Sequence, residues 1–301
     1  MNAPARSSPM TRAASAAQGV VSARRGNRIS IIAGSGSDGD RRDCYYTRMP
    51  SLEVNGQTVH YVQTGGGSPA LVLVHGAGGD HTTWMRQLEG LADSATVVAL
   101  DLPGHGASSG DGCRAVADYA AAVRRFLAAL GRGSVVLGGH SMGGAIAQTV
   151  ALTAPELLAG LVLVGTGARL RVFPRLFELM EKDYAEGVAF VTGYAWSRSS
   201  PEALRGGGRR TMSATRPAVT IGDFTACDGF DVMDRIGHVR LPVLVIVGED
   251  DELTPPKYAE FLARAIPGAR LARIPRAGHY VSLEQPDEVN HAIRSFLTGF
   301  R

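Results

Sequence analysis

The chain has 301 residues, 45% of them hydrophobic, which is enough apolar material for one large core with a small appendage. Thirty-one basic residues against 28 acidic ones leave a formal net charge of +3. Much of that excess falls in the first fifty residues, so the balance does not mark a nucleic-acid-binding protein. Three cysteines (Cys44, Cys113, Cys227) without CxxC or Cys/His spacing speak against a disulfide framework and a zinc site, and they fit a reducing, cytoplasmic setting. No apolar run approaches the ~20 residues of a membrane span.

Residues 1–48 are rich in Ala, Ser, Arg and Gly and lack an apolar period, the composition of a disordered extension. The Arg24-Arg25 pair is followed only by the short apolar stretch 31–33, too little for an export signal. Met49 opens a segment that reads as the start of a domain. Residues 52–54 and 58–62 flank Asn55-Gly56, a hairpin signal because both turn positions tolerate positive φ. Continuous apolar runs follow at 70–74, 95–100, 135–137, 161–164 and 241–247, as expected of parallel strands buried on both faces. A further strand-like run occupies 270–275. Helical patterns at 115–130, 144–152, 257–265 and 287–297 alternate with these strands and predict a mostly parallel sheet with helices on both sides. Residues 168–232 break the rhythm with a helical pattern at 172–184, a Gly/Arg-rich piece at 205–210 and no buried strand. They read as a helical insertion over a core of 49–167 and 233–301.

Gly139-His140-Ser141-Met142-Gly143 fits G-x-S-x-G, and so does Gly106-Ala107-Ser108-Ser109-Gly110. Context separates them. Ser141 follows the run 135–137 and precedes a helical stretch, whereas Ser108 has loop on both sides. Glycines flank such a serine because the backbone doubles back within a few residues and a side chain there meets a neighbouring element. The Met142 N–H then opens a helix, where unpaired donors and the dipole favour an anion.

Several motifs in order resemble the α/β-hydrolases of the cap-bearing lineage, which includes carboxylesterases, enol-lactonases and C–C hydrolases. They are His75-Gly76-Ala77-Gly78-Gly79, the run Asp101 to Ser108, the Ser141 turn, Gly248-Glu249-Asp250-Asp251, and Gly278-His279. The resemblance covers about residues 50–300 and implies an α/β-hydrolase fold, an eight-stranded sheet with a small helical cap. A serine hydroxyl needs an imidazole to take its proton. The family keeps that base in a Gly-His on the loop that here carries His279. His140 points away from its neighbour on a tight turn, and the resemblance gives His75 and His105 loop-bracing roles.

The imidazole needs an acid, and four adjacent carboxylates at 249–252 compete for the part. The family places its acid three residues after the glycine and four before a proline, which Gly248 and Pro255 translate to Asp251, with Asp250 the runner-up. The order Ser141, Asp251, His279 is that of the family. The resemblance also implies an oxyanion hole from the backbone N–H groups of Ala77 and Met142, and it requires no metal or organic cofactor.

The expected activity is hydrolysis of a small carboxylic ester through an acyl-enzyme. Enol-lactone or C–C bond hydrolysis and cofactor-free perhydrolysis are alternatives on the same fold, and a non-catalytic hydrolase-fold binding protein is an alternative of another class. The expected partner is a small ester-like molecule, with neither nucleic acid nor membrane span. Phe173, Leu176, Phe177 and Met180 have the near-helical spacing of core packing, which a cap-side pocket would also use. Arg171 and the other cap arginines are mostly solvated on this reading, with one available for a substrate carboxylate.

Overall fold

A computed structural model describes residues 50–300; the expected extension at 1–48 and the candidate start at Met49 lie outside the described residues. Strands β1 (Ser51–Val54) and β2 (Gln57–Thr64) form the hairpin, with Asn55 and Gly56 at φ 51° and 76° as the turn demands. The other strands are β3 (Ala70–Val74), β4 (Thr96–Leu100), β5 (Val135–His140), β6 (Leu158–Val164), β7 (Val243–Gly248) and β8 (Arg270–Ile274). They form one sheet in the order β1-β2-β4-β3-β5-β6-β7-β8. The pairs β1–β2 and β2–β4 are antiparallel and all others parallel.

The apolar runs become strands because both faces are covered. Along β3, Val72 and Val74 join one core cluster while Leu71 and Leu73 join another, the two-residue period of a pleated strand. Helices α1 (Met85–Gly90) and α10 (Pro286–Leu297) contribute Leu88 and Ile293 to the Leu71 side. Helices α2 (Val116–Leu130), α3 (Met142–Thr153) and α8 (Pro256–Ala265) contribute Val123, Ile146 and Leu262 to the Val72 side.

Between β6 and β7 lie α4 (Pro174–Lys182), α5 (Tyr184–Gly193), α6 (Glu202–Ala214) and α7 (Pro217–Asp228). The single helical pattern expected at 172–184 is broken at Asp183, whose side chain accepts the N–H groups of Ala185 and Glu186 and so caps α5. The Gly/Arg-rich piece at 205–210 lies inside α6. A short helix α9 (Val281–Glu284) follows the His279 loop.

The first turn of α3 lies so close to the end of β3 that a Cβ on Gly143 would run into the main-chain carbonyls of Val74 and His75. No flexible side chain can yield there. Gly143→Ala is therefore expected to lower unfolding free energy by about 2–3 kcal/mol in urea titration. An unchanged midpoint would mean that α3 is free to retreat from β3.

Candidate active site

Ser141 is the single residue between β5 and α3, at φ 53° and ψ −117°. A non-glycine residue held there costs of order 1–3 kcal/mol and persists only if its surroundings dictate it. Here they do. The Ser141 N–H donates to the Val164 carbonyl at 3.0 Å, and the Ser141 carbonyl accepts from Gly144 N at 2.9 Å, Ala145 N at 3.2 Å and Thr166 Oγ1 at 2.9 Å. Met142 buries its side chain completely and opens α3, so its N–H is among those a helix leaves without an intrahelical partner. Ala77 lies in the loop after β3 and lines a cavity that Ser141 and His279 also line.

His279 Nδ1 lies 3.0 and 3.2 Å from the two carboxylate oxygens of Asp251. Asp251 also accepts from Leu253 N at 2.9 Å, Thr254 N at 2.8 Å and Thr254 Oγ1 at 2.8 Å. Burial works against its anion. The neighbouring His279 and the Thr254 donors outweigh that and hold the carboxyl below its usual range. The adjacent Asp250 turns elsewhere: its Oδ2 accepts the Ser197 hydroxyl at 2.6 Å.

The loop that carries His279 has further supports with no motif of their own. The His279 N–H donates to Ala195 O at 2.9 Å. Glu284 takes the Gly278 N–H on one oxygen and the Ser197 N–H on the other, both at 2.9 Å.

His140 is fully enclosed behind the serine. Its Nε2 donates to the His279 carbonyl at 3.0 Å, and its Nδ1 meets no partner. Burial, with His279 adding repulsion, pulls its pKa down to about 3. His75 donates from Nδ1 to Gly76 O at 2.8 Å and accepts from Leu102 N on Nε2 at 3.0 Å, which fixes the neutral tautomer. Burial and the neighbouring His105 bring its pKa down to about 4.

The shared cavity has a volume of about 760 Å3. Its outer wall is apolar, with Leu176, Phe190, Val191 and Phe224 from α4, α5 and α7. Phe173, 77% exposed, stands on its rim, and of the arginines in 168–232 Arg171 lines it. Met180 packs instead into a small cluster with Leu176, Val188, Val191 and Met212.

Among the described residues, one group has the composition of a metal site: His60, His81 and Asp101. Both histidines lie at hydrogen-bond distance from the carboxylate, 2.7 and 2.8 Å, and its oxygens also accept the His81 and Ala107 N–H groups. With its acceptor sites engaged by four donors, Asp101 acts as a loop brace and not as a free ligand.

Neutral burial of His75 and His140 has a consequence for acid stability. Both pKa values fall from the ordinary 6.5, so below that pH the unfolded chain binds protons that the folded chain refuses. Stability is expected to decrease as pH falls from about 6.5 toward 4, at about 1.4 kcal/mol per pH unit for each histidine. His140→Gln, which keeps a donor for the His279 carbonyl, should show a shallower slope in denaturant titrations across that window. Parallel slopes in wild type and variant would overturn this assignment.

The alpha/beta hydrolase family profile matches residues 71–292. A thermophilic esterase of known structure is 35% identical with a TM-score of 0.77, the match covering 84% of this chain and 98% of that one. The dihydrolipoyllysine-residue acetyltransferase component of the acetoin cleaving system of Cupriavidus necator is 30% identical over 82% of this chain and 68% of its own length. The putative carbamate hydrolase RutD of Rhizobium rhizogenes is 29% identical over 75% of this chain and 92% of its own length. The strand order, the turn at Ser141 and these likenesses agree: the chain belongs to the alpha/beta hydrolase family.

Proposed function

We propose that this hydrolase cleaves a carboxylic ester through an acyl-enzyme on Ser141, with His279 as the base and Asp251 as the acid that orients it. The observation that carries the reading is the Asp251–His279 contact beside a serine held at positive φ on the same cavity. Ser141 Oγ attacks the ester carbonyl carbon as His279 takes its proton. The tetrahedral oxyanion is met by the N–H groups of Ala77 and Met142, each worth about 3 kcal/mol to the transition state. Collapse of the intermediate expels the alcohol, which takes the proton from His279. Water then attacks the acyl carbon by the same route, and Ser141 is released.

Residues 168–232 act in this scheme as a cap that closes the cavity from above. Its apolar wall and volume suit an ester with an apolar acyl chain, within the usual span of small-molecule pockets, about 300–1,000 Å3. The free thiols of Cys113 and Cys227 suit a cytoplasmic setting.

Ser141→Ala is expected to abolish fluorophosphonate labelling and to reduce ester hydrolysis by about four orders of magnitude or more. Asp251→Asn should lose at least about a hundredfold in kcat, whereas Asp250→Asn, whose side chain accepts from Ser197 and not from His279, should lose less than about tenfold. Equal labelling of Ser141→Ala and wild type would sink the proposal. Among p-nitrophenyl esters, kcat/KM is expected to rise from acetate to hexanoate, about 0.8 kcal/mol of binding being available per buried methylene.

A further inference from the structure

Asp223 lies in α7 with no solvent exposure. Three donors from three separate parts of the core converge on it. Gly78 N donates to Oδ2 at 2.8 Å, His105 Nε2 donates to the same oxygen at 2.8 Å, and the Tyr119 hydroxyl donates to Oδ1 at 2.5 Å. The His105 Nδ1 faces the Pro103 carbonyl at 3.1 Å, so both ring nitrogens meet acceptors and both carry protons. Burial disfavours that imidazolium, but the Asp223 carboxylate prevails and raises the histidine's pKa. The Tyr119 phenol is pushed up as well, by burial and then by the same negative charge. A buried anion fed this way is expensive to leave unpaired, and its partners show what it holds.

The partner that matters most is Gly78, the residue after Ala77. Gly78 adopts φ +62°, where backbone sterics leave a glycine free to turn its peptides. External contacts must therefore fix them. Asp223 holds the Gly78 N–H, and the Thr215 hydroxyl donates to the Gly78 carbonyl at 3.1 Å. The peptide so oriented directs Gly79 N onto Gly76 O at 3.1 Å, where His75 Nδ1 also donates. Gly76 O and the Ala77 N–H belong to one planar trans peptide and point in opposite directions. Fixing one aims the other.

We propose that Asp223 is a positioning residue for the oxyanion hole: through Gly78 it sets the direction of the Ala77 N–H, so that the hole is complete only when α7 is seated on the core. The inference rests on the esterase reading above and adds to it a residue that never touches substrate. Misaiming one donor leaves substrate binding largely intact and weakens the transition state.

The test compares full-length wild type with Asp223→Asn on p-nitrophenyl butyrate and against a trifluoromethyl ketone, which forms a tetrahedral oxyanion on the serine. Asp223→Asn is expected to lower kcat about tenfold with KM within about threefold, and to weaken the ketone by the same factor as kcat/KM. Thr215→Val should move both readouts in the same direction by about threefold, and it carries the test if Asp223→Asn does not fold. A folded Asp223→Asn with unchanged kcat would overturn the proposal. So would a kcat loss that leaves ketone affinity untouched, because a purely structural role predicts that. Activity retained by Ser141→Ala would instead remove the underlying reading, whatever Asp223 does.

Discussion

The first turn of α3 packs against the carbonyls at the end of β3 with no room for a Cβ at Gly143. That contact sets where β5 must stop and how sharply the chain must turn. One residue is left for the turn, and Ser141 takes it at positive φ with its carbonyl held by three donors. The same closeness places the N-terminus of α3 beside the loop that carries Ala77. The candidate nucleophile and both candidate oxyanion donors thus follow from one backbone packing constraint and not from the serine side chain itself.

Around that turn the protein manages imidazole charge by enclosure. His75 and His140 are buried with acceptors and donors that suit the neutral ring, and both are pulled far below ordinary histidine. His105, equally buried, faces two acceptors and is driven the other way by Asp223. His279 differs in place more than in kind: it keeps one nitrogen against Asp251 and lines the cavity. A neutral His140 directly behind His279 matters electrostatically, because a cation there would oppose any proton arriving on the His279 ring.

The core strands were legible because a strand buried on both faces leaves a continuous apolar run, and the loops between them carried motifs in family order. The region 168–232 was legible as a helical interruption of the strand pattern, but its individual helices were not. Gly206, Gly207 and Gly208 argue against a helix by propensity, yet α6 forms, with Gly208 packed flat against the Trp196 ring where a Cβ would collide. The family spacing favoured Asp251 with Asp250 as runner-up; consecutive residues on a turn point apart, and here Asp251 faces His279 while Asp250 faces Ser197. Glu284 and Asp223 left no signal at all. Each holds backbone N–H groups, which every residue has, and the side chains that also meet them lie far away in sequence, so no local pattern announces them.

The inserted helices cover the cavity and also hold its inner wall together. Ala195 accepts the His279 N–H, and the Ser197 N–H shares Glu284 with Gly278, so the segment between α5 and α6 fixes the loop that bears the candidate base. Asp223 and Thr215 grip the two sides of Gly78, so the segment around α7 fixes the loop that bears Ala77. Both loops are glycine-containing and make these contacts through main-chain atoms, which neither loop could satisfy by itself. Displacing the helices would strand a buried carboxylate and free two backbone segments at once.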